Sequence, residues 1–227
     1  MTVLAPTIAE QRVILQNVSW RLFENLLDEL GENRAARLAY DQGVLEIMSP
    51  LMPHEHNKRL IERLIEILCE ELDLNIKSVG SMTCKREDLQ RGIEPDSGFY
   101  IQNEPLVRQR VAASLPVTGS EHCGDFEELN FPQYPPPDLM VEVDFSSSSL
   151  NKEPIYLALG IPEIWRYAGG KLTIKHLQHG QYIQLDYSPT FANLPLIIIP
   201  QFLRQSPEIG EVGVIKAFRT WVKQYDR

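Results

Sequence analysis

Cysteine is scarce in this chain. There are three in 227 residues, Cys69, Cys84 and Cys123, widely spaced and without a CxxC pair. That excludes a disulfide framework, argues against a zinc site and fits a reducing cytoplasm. Long apolar runs are missing too. The best candidate, LPLIIIP at 194–200, is far short of the roughly 20 residues a bilayer-spanning helix needs. The opening MTVLAPTIAEQRV has no basic segment leading into an apolar one, so no secretory signal is expected. Basic charge is also short: 22 Lys and Arg face 31 Asp and Glu, for a net charge of −9. Such a balance disfavours tight, sequence-independent gripping of nucleic acid, although a local basic groove can coexist with an acidic remainder.

What is present is enough for one sizeable core. Hydrophobic residues make up 43% of the chain, so a single domain over 1–227 is expected, with its core at about 44–186 and an extension at each end. Residues 18–30 (VSWRLFENLLDEL) carry apolar side chains at helical spacing, with Ser19 as N-cap. ARLAY and VLEIM read as a hairpin turned by Asp41, Gln42 and Gly43. Residues 53–72 predict the strongest helix, with Leu60, Ile61, Leu64, Ile65, Leu68 and Leu72 in one stripe. NIKSVGSMTCKRED and GIEPDSGFYI read as two further strands, with LQRG turning between them. Residues 103–137 read as a long connection. LNKEPIYLALG predicts a short helix closed by Gly160, irregular at its start near Pro154, with a serine of the 146–149 run as its cap. PEIWRYA, KLTIKHL, GQYIQLD and LPLIIIP read as a meander, and residues 211–226 as a closing amphipathic helix. The order predicts an α/β fold: a mixed β-sheet flanked by helices, preceded by an extra helix and hairpin and followed by the meander and last helix.

One strand poses a chemical question. In PPDLMVEVDF, Asp138, Glu142 and Asp144 alternate onto one face, while Leu139, Val141, Val143 and Phe145 take the other. Three acids on one side of an apolar strand need water, a cation or basic side chains to compensate them. Either the strand is an edge with one wet face, or the acids build a metal site. A second Pro-Asp lies in EPDSGFY. Asp96 and Glu142, on adjacent strands, could jointly hold one divalent cation, and hard carboxylate oxygens suit Mg²⁺. A lysine alongside would orient the attacking water and stabilise charge on phosphate.

At these residues the chain resembles the PD-(D/E)xK nuclease superfamily and, within it, the Uma-type family of restriction endonucleases. The resemblance covers residues 26–184 and is carried by GVLEIMSP, HEHNKRLIERLIEIL, LQRGIEPDSGFYI, PPDLMVEVDFSSSSLNKEPIY and LGIPEIW. It implies a restriction-endonuclease-like fold and an endodeoxyribonuclease using Mg²⁺ or Mn²⁺. By the same resemblance Asp96 and Glu142 are metal ligands, and with Lys152 they are the catalytic residues. The superfamily usually sets its lysine two residues beyond the acid, where this chain has Asp144. In the Uma-type branch the lysine lies in the following helix, at Lys152, with Tyr156 one turn further on.

His54 and Glu55 open the long helix where the family carries a histidine and an acid, and Glu62 is an alternative acid from that helix. Asp138, Asp144 and Tyr156 are further accessory candidates, and Tyr100 shares the strand face of Asp96. His56, His122, His176 and His179 read as surface or meander residues. DNA is the implied partner, a homodimer the implied assembly, no membrane is involved, and the cytoplasm is the expected location. Lys58, Arg59, Lys85, Arg86 and Arg91 are candidates for a basic groove, or else solvated faces. Two other readings stand beside the nuclease: an inactive nuclease-fold dimer that only binds, and a hydrolase of a small phosphorylated substrate.

Overall fold

The computed structural model describes residues 11–31, 36–50, 52–114, 134–144, 150–191 and 194–225. In chain order the strands and helices are β1 (Gln11–Leu15), α1 (Trp20–Leu30), β2 (Arg37–Asp41), β3 (Val44–Ser49), α2 (Met52–Glu71), β4 (Lys77–Gly80), β5 (Cys84–Arg86), β6 (Arg91–Ile93), β7 (Ser97–Tyr100), α3 (Glu104–Ser114), β8 (Leu139–Asp144), α4 (Glu153–Leu159), β9 (Glu163–Ala168), β10 (Lys171–Gln178), β11 (Gln181–Leu185), α5 (Ile199–Leu203) and α6 (Ser206–Tyr225). Local signals explain several boundaries. Ser19 Oγ accepts from the Leu22 amide at 3.2 Å and starts α1. Gln42 and Gly43, at φ 46° and 98°, make the left-handed two-residue turn that suits a hairpin's twist. Gly160, at φ 71°, closes α4.

The fold is α/β as expected, with helices flanking its strands, which form two sheets. The first is antiparallel, in the order β1-β3-β2-β6-β5; the second runs β11-β10-β9-β8-β7-β4, antiparallel except for the parallel pair β8 and β9. Each long strand expected around LQRG is therefore split in two. β4 and β7 belong to the second sheet, β5 and β6 to the first. Pro95 is the physical reason for the second break: it has no N–H to continue the ladder, so the chain leaves one sheet and enters the other through Glu94-Pro95-Asp96. Glu94 fastens this crossover to its counterpart, accepting from the Leu38 amide at 2.9 Å and from Thr83 Oγ1 at 3.0 Å.

Three buried layers result. Trp20, Phe23 and Leu27 of α1 pack on Leu38, Tyr40 and Leu45 of the first sheet. Gly92 is obligatory there, since a Cβ would stand 2.7 Å from the Phe23 ring. On the sheet's other face Ala39, Cys84 and Ile93 share a core with Ile155, Tyr156 and Leu159 of α4 and with Met140 and Ile164 of the second sheet. Helix α4 thus lies between the two sheets. The far face of the second sheet, with Leu139, Val141, Val143 and Trp165, is covered by Leu60, Leu64 and Leu68 of α2 together with α5 and α6. Each such fully buried side chain contributes about 2 kcal/mol.

Three other expectations need correction. The 103–137 connection contains α3, with residues 115–133 outside the described part. LPLIIIP is helical, not a strand: a 3₁₀ turn at Leu196–Ile198 leads into α5, whose first turn accepts Pro200 because its amide would be unbonded anyway. The last helix begins at Ser206 and kinks at Gly210, at φ 69°. The edge strand β1 had no counterpart in the sequence reading. Cys69 and Cys84 are buried free thiols. Cys123, His122, Phe145 and the serines 146–149 lie outside the described residues. The expected serine cap is not what starts α4: its N-cap position is Lys152 with no side-chain cap, the Glu153 amide donating instead to Asn151 Oδ1 at 3.2 Å. No helix among the described residues is long and apolar enough to cross a membrane.

Candidate active site

β7 and β8 are neighbours, paired antiparallel with Ser97 opposite Val141. That register sets Asp96, at the end of the inter-sheet crossover, beside Glu142. Asp96 is buried, and its Oδ2 accepts from the Val143 amide at 2.7 Å and lies 3.1 Å from His54 Nε2. Burial by itself would push the Asp96 carboxyl up. His54, Lys152 and the Val143 amide together outweigh it and hold the group below the usual carboxylate range.

Glu142 lies on the face of β8 toward α4. Lys152, at the start of α4, reaches back so that its Nζ stands 2.6 Å from Glu142 Oε2. Tyr156, one turn later, donates its hydroxyl to Glu142 Oε1. The Glu142 carboxyl is raised to about 7: burial pushes it up, Lys152 pulls it down, and Asp96 and Asp144 push it up again. Burial opposes the charge on Lys152 as well, but Glu142, Asp96 and Asp144 more than offset this and hold the ammonium protonated beyond its ordinary range. Tyr156 is raised by burial and then by the charge of Glu142.

The three acids of PPDLMVEVDF are thus compensated in three ways. Glu142 has Lys152 and Tyr156. Asp144 lies between two arginines, with Arg12 Nη2 at 2.9 Å and Arg166 Nε at 2.7 Å. Arg12 extends its other arm to Glu46 at 3.0 Å, joining β1, β3 and β8 across the two sheets. Asp138 does not enter the site: it accepts from the Ile101 and Asn103 amides at 2.7 and 2.9 Å and from Asn103 Nδ2 at 2.6 Å, bracing the turn into α3. The strand is no wet edge, since all six residues of β8 are buried.

The structure therefore gathers Asp96, Glu142, Lys152, Tyr156, His54 and Asp144. It leaves the two helix acids apart from them. Glu55 is 43% exposed and pairs with Lys58 at 3.7 Å, though it also lies 3.7 Å from His54 Nδ1. Glu62 accepts from Ser97 Oγ, whose side chain alternates away from that of Asp96. Tyr100 donates to the Pro135 carbonyl at 2.9 Å and takes no part. The basic candidates are each paired: Lys58 with Glu55, Arg59 with Glu62, Lys85 with Glu24, Arg86 with Asp88 and Arg91 with Asp41. Sequence reasoning missed Arg12 and Arg166. Arg166 had a visible signal, as the one charge inside the apolar run IWRYA.

Among the described residues no group of three or more His, Cys, Asp and Glu side chains is arranged to hold a metal ion. Two carboxylates with hard oxygens nevertheless fit Mg²⁺, which keeps several waters and needs only one or two protein carboxylates. No curated protein matches the chain. Residues 20–205 match the Uma2 family, described as "Putative restriction endonuclease" and part of the PD-(D/E)xK-like nuclease superfamily, and the chain belongs to that family.

Proposed function

We propose that this protein is a divalent-metal-dependent endodeoxyribonuclease in which Asp96 and Glu142 hold Mg²⁺ or Mn²⁺ and Lys152 is the catalytic cation. One observation carries the reading: a lysine ten residues beyond Glu142 returns to 2.6 Å from it, among three acids. The bound ion would polarise the phosphodiester and make the attacking water more acidic. The chain's own residues do the rest. His54 and the Val143 amide fix one oxygen of Asp96, and the Tyr156 hydroxyl fixes one oxygen of Glu142. Lys152 stays protonated, so its part is that of a point charge meeting a phosphate oxygen, not that of a general base. A homodimer would present two such centres to two strands, and a cytoplasmic setting suits the buried thiols Cys69 and Cys84.

The test is cleavage of supercoiled plasmid and end-labelled duplex by purified protein in Mg²⁺, Mn²⁺ or EDTA. Cleavage should need the metal and vanish in Asp96→Asn. A second reading, a nuclease-fold module that binds without cutting, is favoured by the pairing of all five basic-groove candidates with acids. Duplex binding with no cleavage under any metal would select it.

A further inference from the structure

Arg166 is the one exposed residue of β9, a strand otherwise buried or nearly so, and its side chain is 45% exposed. Its register is informative. Glu142 and Arg166 are direct partners in the parallel β8–β9 ladder, and the β7–β8 register carries the same line on to Asp96. Asp96, Glu142 and Arg166 thus form a row on one face, at successive strand spacings of about 4.8 Å. Asp144, two residues beyond Glu142 on that face, accepts from Arg166 Nε at 2.7 Å and is itself held by Arg12.

The other cations of this cluster are occupied. Lys152 is 12% exposed and engaged with Glu142, and Arg12 is 8% exposed and divided between Glu46 and Asp144. Arg166 is the cluster member that reaches solvent. Its hydrogen bond to Asp144 uses Nε, which fixes the plane of the guanidinium and leaves the two terminal nitrogens for another acceptor. A planar fork of that kind matches the oxygens of a phosphate.

We propose that Arg166 is a substrate-binding residue, clasping a DNA phosphate that flanks the one attacked at Asp96, Glu142 and Lys152. The proposal rests on the nuclease reading above. On a chain of net charge −9, an oriented arginine beside the acids supplies the local attraction that the whole surface does not.

The test is anisotropy of a fluorescein-labelled duplex across a sodium chloride series, with calcium in place of magnesium, for the full chain and three variants. Arg166→Gln should weaken binding about tenfold and flatten the slope of log K against log salt by about 0.9, the counterion equivalent of one phosphate contact. Arg166→Lys keeps the charge and should keep the slope while losing part of the affinity. Arg219→Gln removes an equal charge on α6, where Arg219 pairs with Glu70 and Glu71, and should leave both quantities unchanged. An Arg166→Gln slope equal to that of the parent overturns the proposal while the nuclease reading stands. So does an Arg166→Lys slope as flat as that expected for Arg166→Gln, a comparison that holds even if the glutamine variant fails to fold. A parent protein that neither binds nor cuts DNA overturns the nuclease reading and this proposal with it.

Discussion

Two buried glutamates lie on neighbouring strands of the second sheet and face opposite ways. Glu163, on β9, stands on the face covered by α2 and α6. It accepts from Trp165 Nε1 and Ser188 Oγ at 2.6 and 2.5 Å on one oxygen, and from the Thr190 amide and hydroxyl at 3.0 and 2.7 Å on the other. All four donors are neutral and belong to the fold, so this carboxylate fastens the loop after β11 to the sheet. Glu142, on β8, stands on the face toward α4 with one ammonium, one phenol and two further carboxylates about it. The first environment is closed and complete. The second sets like charges near one another and leaves a cation to hold them, which is how a site is built to exchange partners. Burial alone would have classed the two residues together; the donors separate them.

The largest effect should come from the closed environment. Glu163→Leu leaves the Trp165, Ser188 and Thr190 donors buried without an acceptor and should cost about 4 kcal/mol, read as a lower urea midpoint with an unchanged slope. A loss below about 1 kcal/mol would mean that the 188–190 turn does not depend on Glu163. Arg12→Ala comes next. It strips one arginine from both Glu46 and Asp144, each buried, and should cost about 3 kcal/mol, since breaking a buried ion pair leaves the cost of burying the acids with less attraction to offset it. The smallest effect should be that of Glu142→Gln, within about 1 kcal/mol of the parent in metal-free buffer, because losing a repelled charge offsets losing the pair with Lys152. If Glu142→Gln cost as much stability as Glu163→Leu, the contrast between the two glutamates would be wrong.

The sequence and the structure agree best where local chemistry decides. The Ser19 cap, the Gln42-Gly43 turn, the α2 stripe and the Gly160 cap are each written in a few adjacent residues, and all four appear. The adjacency of β7 and β8 was also legible, from two Pro-Asp starts feeding one face. The split into two sheets was not. Periodicity reads through Pro95 as though the strand continued, and only the missing amide turns the chain across. LPLIIIP misled because a short apolar run has the same composition in a buried strand and in a buried helical turn; the prolines were the better guide. Within the site, the residues near one another in sequence, Glu142, Lys152 and Tyr156, were readable as a set. Arg12 was not, because it arrives from an edge strand 132 residues before Asp144, and no local pattern encodes that contact.

The most direct measurement is on Lys152→Ala, with metal binding and DNA cleavage followed in the same preparation. Metal binding is read as the Mg²⁺-induced rise in unfolding temperature, and cleavage as the metal-dependent nicking of plasmid. A ligand at a hundred times its dissociation constant stabilises the folded state by about 2.7 kcal/mol, so the thermal shift is easily seen. The variant should keep the Mg²⁺ shift, since Asp96 and Glu142 remain, and lose cleavage. Cleavage at the parent's rate in Lys152→Ala would contradict it, and would reduce the 2.6 Å contact with Glu142 to an ordinary buried ion pair.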